Sequence, residues 1–293
     1  MIIEYTSYNK SKSITLDTHK TPYVLQERKG LNGLETDIKT FRSIAQSGVS
    51  VQASLIRERL VTIKGAIVYD DFTEKEILKK NIYSVFNPAF GGDMKIVTDA
   101  GNEYNIKEVY IEEAPVFTEK LNGPDIEFFT ISFICPNPFI LSNEKAISLQ
   151  NEVGNFKFDW EILEQGVTLS DIDANAIKNA PNYGDIETPV KITIRARGHM
   201  VDPFVINVST GEAIYINYTL NAGDRIEITT EYGNKRVKHF KADDTETDIF
   251  KFIDIKSSFF QLKLGDNLIK YGAKRSIENM SVDIKYNERY LGV

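Results

Sequence analysis

Apolar and polar residues alternate along much of the chain with a period of two, the mark of strands with one face buried and one in water. From Arg57 to Tyr69, RERLVTIKGAIVY sets Val61, Ile63, Gly65, Ile67 and Tyr69 on one face. PVKITIRARG does the same with Val190, Ile192, Ile194 and Ala196 against Lys191, Thr193, Arg195 and Arg197. SITLD and TPYVLQER alternate weakly, and MKIVTD, NEYNIKEVYIEE and FFTISFICP are further strands. Between Ile106 and Val109 the apolar phase slips by one, which predicts a bulge or a break. One segment has another period. In TEKEILKKNIYSVF, Leu78, Ile82, Val85 and Phe86 recur at i, i+4, i+7 and i+8, a helix whose stripe faces a sheet. Thr73 and Glu76 stand at capping-box spacing, Asp70 and Asp71 suit the helix dipole, and Asn87-Pro88 ends the helix.

Turn chemistry supplies the punctuation. In LNAGDRIEITTEYGNKRV, Gly223-Asp224 and Gly233-Asn234 flank a strand in which Ile226 and Ile228 alternate with polar residues. FVINVSTGEAIYINYTLNAGDRIEITTEYGNKRVKHF predicts four strands, and SSFFQLKLGDNLIKY repeats the Gly-Asp turn. Strands at such short spacings predict a sandwich or barrel, and no fixed repeat indicates a solenoid or propeller. Pro136 and Pro138 close a strand and mark a boundary, giving domains 1–142 and 143–293. The fold class is therefore mainly β in two domains, the first sandwich-like with one helix. Residues 143–188 resist reading. They hold Trp160 and LSDIDANAIKNA, a helical turn or a loop.

Composition narrows the function. With 42% hydrophobic and 26% charged residues the chain is of globular type, and no apolar run is long enough to span a bilayer. MIIEYTSYNKSKS carries no signal-peptide pattern, so synthesis and folding in a cytoplasm are expected, without membrane insertion. A formal charge of −7 argues against holding a phosphate backbone and leaves protein partners or neutral ligands. The single cysteine, Cys135, shares a face with Phe129, Ile131 and Phe133 and is expected to be buried.

Candidate chemistry is sparse. His19, His199 and His239 lie in no signature with Ser or Cys, and there is no GxSxG, HExxH, Walker or GxGxxG motif. No catalytic residue, cofactor or metal site is therefore assigned. A hydrolase would require activity lost on changing His199 or His239. Asp243, Asp244, Glu246 and Asp248 could offer oxygens to calcium, but without the EF-hand glycine and final Glu they read as a solvated turn. Trp160, Tyr183 and Tyr232 could make a sugar-stacking platform, though a lone tryptophan more often serves a core or an interface.

The order of elements resembles the distal tail protein family of long-tailed bacteriophages. The likeness rests on a long strand ending in KGAIVY, a capped helix closed by Asn-Pro, a strand ending in CPNPF, then PVKITIRARG. It extends through Thr210, Gly211, Ile214, Ile216, Leu220, Gly223, Asp224, Ile226, Ile228, Thr230, Gly233, Lys235 and Val237. Thr229 departs from the family pattern, which has Asp there. The resemblance covers most of the chain, most strongly Arg57–Phe139 and Pro189–Val237, most weakly 143–188. It implies a ring-forming N-terminal domain, a galectin-like C-terminal β-sandwich, and a structural, non-enzymatic hexamer at the virion tail tip or baseplate. Implied partners are the tail tube protein, a tail-tip or tail-associated protein and receptor-binding proteins, with assembly in the host bacterial cytoplasm. The galectin likeness concerns fold; the sugar-contacting cluster is not found.

Such a protein would work by geometry. Copies related by rotation close a heterologous contact into a ring, and DNA passes through without specific binding, which a neutral or acidic lumen would favour. Residues 34–68 could form a long hairpin whose edges pair with a neighbour. Phe41, Ile44, Val49, Val51 and Leu55 are the candidate ring interface; the alternative for residues 43–56 is a plain surface loop. The competing function is a carbohydrate- or cell-wall-binding accessory protein acting through the C-terminal sandwich.

Overall fold

The computed structural model describes residues 1–9, 12–118, 125–149, 152–154, 170–172 and 177–293. The chain divides into two compact units. The first comprises Met1–Asn143 with Arg289–Val293, the second Glu144–Glu288. The last residues thus belong to the first unit, whereas the expected bounds 1–142 and 143–293 keep them in the second.

In the first unit the strands are β1 (Ile2–Ser7), β2 (Ser13–Asp17), β3 (Tyr23–Lys29), β4 (Thr36–Phe41), β5 (Ser50–Ile56) and β6 (Arg59–Val68). Helix α1 (Phe72–Val85) follows, then β7 (Gly92–Val97), β8 (Glu103–Phe117), β9 (Ile126–Cys135) and β10 (Ile140–Leu141). The order β8-β7-β1-β2-β3-β6-β9 returns to β8, so the expected sandwich-like layering is realised as a closed barrel. Strand β8 makes closure possible. Its first part pairs with β7 and its second with β9, and register shifts at Ile111/Glu113 and Glu113/Val116 turn it between the two.

The phase slip at Ile106 to Val109 is a bulge. Gly92 pairs with Val109 but Met94 with Ile106, Glu108 adopts φ 56°, and both Ile106 and Val109 stay fully buried. Asp93 receives the Glu108 N–H at 3.3 Å, the Lys107 ammonium at 2.6 Å and the Tyr8 hydroxyl at 2.7 Å.

The face of β6 read from the sequence is the buried one, and Gly65 on it has a reason. A Cβ there would lie 2.5 Å from Cζ of Phe129, so the glycine gives the ring its place. Ile82 and Val85 of α1, with Phe86 just after it, enter the same core, where the Phe86, Tyr5 and Phe133 rings meet at 5.2–5.9 Å. Each such side chain contributes about 1.5–3 kcal/mol on burial. The helix cap differs from the expected Thr73/Glu76 pair. Asp71, extended at φ −145°, accepts the Glu74 N–H at 2.8 Å, and Glu74 accepts the Asp70 N–H at 2.8 Å. Thr73 already lies inside the first turn and cannot cap it.

The second unit contains β11 (Lys145–Ser148), β12 (Glu152–Gly154), β13 (Ser170–Ile172), β14 (Lys178–Asn179), β15 (Lys191–Ala196), β16 (Met200–Asn207) and β17 (Glu212–Tyr215). It continues with β18 (Thr219–Leu220), β19 (Arg225–Thr229), β20 (Arg236–Phe240), β21 (Glu246–Asp248), β22 (Leu268–Arg275) and β23 (Met280–Tyr286). After it, β24 (Arg289–Tyr290) pairs with β10 in the first unit. A sheet ordered β11-β23-β15-β19-β20-β21 and one ordered β14-β22-β16-β17 share one core, from Ile192, Ile228 and Val282 on one to Val205, Ile214 and Tyr271 on the other. That is a β-sandwich.

The two glycine turns fall where predicted, Gly223 at φ 88° and Gly233 at φ 73°, and the Asp224 carboxylate accepts the Asn221 N–H at 2.9 Å. The stretch from Phe204 to Phe240 holds one more strand than expected, because β18 adds two residues to β16. Of LSDIDANAIKNA, Ser170–Ile172 and Lys178–Asn179 are strands; residues 173–176 of the expected helical turn or loop, and Trp160, lie outside the described residues.

Candidate functional site

The β4–β5 hairpin stands apart from the barrel as a sheet of its own. It replaces the long hairpin expected over residues 34–68, since β6 belongs to the barrel wall. Period-two geometry with the observed pairing puts Val51, Ala53 and Leu55 on one face and Ile38, Phe41 and Ile56 on the other. Neither face is covered by the unit that carries it. Exposure is 46% for Phe41, 57% for Ile38 and Val49, 62% for Val51 and 54% for Leu55, and Ile44 in the connecting loop is fully exposed. All five residues named from the sequence are therefore on the hairpin and open to solvent. Ile38 was missed there because it sits alone among polar neighbours, Asp37 and Lys39.

A two-stranded ribbon in water is marginal by itself. This one rises from a fixed root. Gly30 adopts φ 85°, with a position for Cβ only 1.8 Å from the Leu60 carbonyl oxygen, so only glycine fits. Arg59, 1% exposed, donates to the carbonyls of Gly30 at 2.5 Å, Gly33 at 3.4 Å, Pro138 at 2.7 Å and Leu291 at 2.9 Å. One guanidinium thereby joins the hairpin root, the proline-closed end of β9 and the chain's last residues. Nothing in the pattern RERL announces this, because its partners are main-chain oxygens far apart in sequence.

The groups that could carry chemistry are dispersed. His19 and His199 are exposed. His239 is buried with Nε2 3.3 Å from an Asp224 carboxylate oxygen and Nδ1 3.3 Å from the Tyr218 hydroxyl. Burial pushes the Cys135 thiol up to about 12, only partly offset by Arg59, which leaves it protonated and unreactive. The acidic run 243–248 is a turn tied by cations: Arg225 bonds Asp244 at 2.6 Å and Lys238 bonds Glu246 at 2.5 Å. Thr245 holds the Asp243 carboxyl below its usual range through its hydroxyl and then its N–H. Among the described residues no group of three or more His, Cys, Asp or Glu is placed to hold a metal, and no helix is long and apolar enough to cross a membrane. Tyr183 and Tyr232 are exposed, each with a lysine over its ring, Lys145 and Lys235.

Residues 183–290 match the family model described as the siphovirus-type tail component, C-terminal domain. The structure resembles that of the SPP1 Dit protein, described as a paradigm of hub adsorption apparatus in phages infecting Gram-positive hosts. The TM-score is 0.67 at 12% identity, covering 99% of both chains. A chain of the phage P2 baseplate in its activated conformation with Ca also matches, at TM-score 0.55 and 12% identity over 100% of both chains. No curated protein sequence matches the chain. The resemblance to distal tail proteins is thus borne out, by the family-model match over residues 183–290 and by fold over the whole length.

Proposed function

We propose that this chain is a structural distal tail, or baseplate hub, protein of a bacteriophage or phage-like particle. Its copies close into a hexameric ring that joins the tail tube to the host-adsorption apparatus, and it acts without catalysis. The observation that carries the ring is the β4–β5 hairpin: apolar on both faces, uncovered, with unpaired strand edges, and anchored by Arg59. Strand pairing with a neighbour supplies main-chain hydrogen bonds, and Phe41, Ile44, Val49, Val51 and Leu55 supply apolar area. Because hairpin and receiving surface differ, the contact is head to tail and closes under rotation. The first unit is the ring-forming domain and the second is presented to other tail proteins. A net charge of −7 suits a lumen that lets DNA slide. Negative-stain images of the purified protein should show sixfold rings. Deleting residues 43–49 should leave a folded monomer by light scattering, and an unchanged assembly would remove the hairpin from the interface.

A further inference from the structure

Outside the hairpin, one surface of the second unit is built as a pocket. On β16, period two sends Val205 into the core and Phe204 to the opposite face. Phe204 pairs with Gly272 of β22 on one side and Tyr215 of β17 on the other, so these three residues form a row across the sheet. A Cβ on Gly272 would lie 2.3 Å from Cζ of Phe204, so the glycine lets that ring lie down against the sheet. The Tyr215 ring sits beside it, centroids 5.6 Å apart and tilted by 44°. Together they floor a cavity of about 510 Å³, within the range of small-ligand sites.

The rim is polar and fixed. Lys274 stands 3.6 Å from Asp202, and Asn217 donates to Asp254 at 3.4 Å. Asp254 also accepts the Lys256 N–H at 2.9 Å, and that bond, followed by Asn217, holds its carboxyl ionised below the usual range. Its own N–H and the Ser257 hydroxyl both donate to the Tyr215 carbonyl, which locks this side of the rim to the floor. Asp202 adopts φ 51°, a left-handed conformation that costs a non-glycine residue and recurs at binding sites.

An aromatic floor matches the C–H face of a sugar ring, and an edge offering both acceptors and donors matches hydroxyls, which do both. Two carboxylates, Asp202 and Asp254, balance two ammonium groups, Lys256 and Lys274, so the lining favours no ligand charge. We propose that this pocket binds a neutral saccharide, with one pyranose ring over Phe204 and Tyr215 and its hydroxyls on Asp202, Asn217, Asp254 and Lys274. This goes beyond the ring-forming role and does not depend on it.

The test is saturation-transfer NMR and calorimetry on the full chain with tetrasaccharides of glucose, of galactose and of N-acetylglucosamine. At least one should bind with a dissociation constant near about 1 mM. Tyr215→Ala should weaken that binding about tenfold or more, and Asn217→Ala severalfold. Asn217 is exposed and Tyr215 half-buried, so Asn217→Ala should leave the melting temperature unchanged and Tyr215→Ala should lower it only slightly, whereas Phe204→Ala would open a gap above Gly272. Absence of binding for all three sugars up to about 10 mM, or affinity unchanged in Tyr215→Ala, would overturn the assignment.

Discussion

Two acidic substitutions on one face of the hairpin, Val51→Glu with Leu55→Glu, isolate the contribution of that ribbon to assembly. Full burial of a Val or Leu side chain contributes about 1.5–3 kcal/mol. With Val51 62% and Leu55 54% exposed, what remains to be gained in a contact is roughly 1–1.5 kcal/mol each, about 2–3 for the pair. Carboxylates left without partners in the same contact add at least about 2 kcal/mol of desolvation cost. The sum, about 4 kcal/mol, is roughly a thousandfold in the dissociation constant of each contact. In the free chain the same side chains touch water, so the melting temperature should barely move. Size-exclusion chromatography with light scattering should therefore show the monomer mass at concentrations where the unaltered protein forms rings. Rings of normal mass in the double variant would refute the role given to this face. A large drop in melting temperature would refute the premise that the ribbon is uncovered.

Other consequences concern the units themselves. Gly65→Ala should destabilise by about 1–3 kcal/mol in urea titration, with much of the loss recovered when Phe129→Leu makes room. Asp71→Ala should cost about 1 kcal/mol, measurable by the same titration, while Thr73→Ala should change little. Burial raises the Cys135 thiol from 9.0 to about 12, and burial raises Tyr5 and Tyr286 from 10.0 to about 12. These groups are neutral when folded and ionise earlier when unfolded. Their contribution is complete below pH 9 and should fall away from about pH 9 to about pH 12, which alkaline unfolding curves will show. At pH 8 the native thiol should not react with Ellman's reagent and the unfolded one should.

What the sequence made legible is what local physics decides. Alternation along β6, β9 and β15 identified the buried face residue by residue, and the slip at Ile106 to Val109 foretold a bulge because both residues had to reach one core. Positive-φ turns at Gly223 and Gly233 were written in glycine chemistry. Features set by distant partners were hidden. Closure of the barrel through β8 and β9, the capture of four carbonyls by Arg59, and the row Gly272, Phe204 and Tyr215 each join segments that carry no sign of one another. The cap went to Asp71 because the helix begins two residues earlier than Thr73 would require. The exposed side chains of the hairpin were legible as apolar residues in a polar stretch, and only the structure shows that their own unit leaves them bare.

Closing a seven-stranded wall on itself uses up most of the hydrogen-bonding groups along which sheets otherwise grow, and the continuation through β10 and β24 is only two residues wide. If copies gather in one place, as proposed, open-ended fibres are the hazard, and so narrow a margin offers that route little purchase. On the proposed role, the geometry of the hairpin tab, and not the stickiness of the barrel wall, would decide when growth stops.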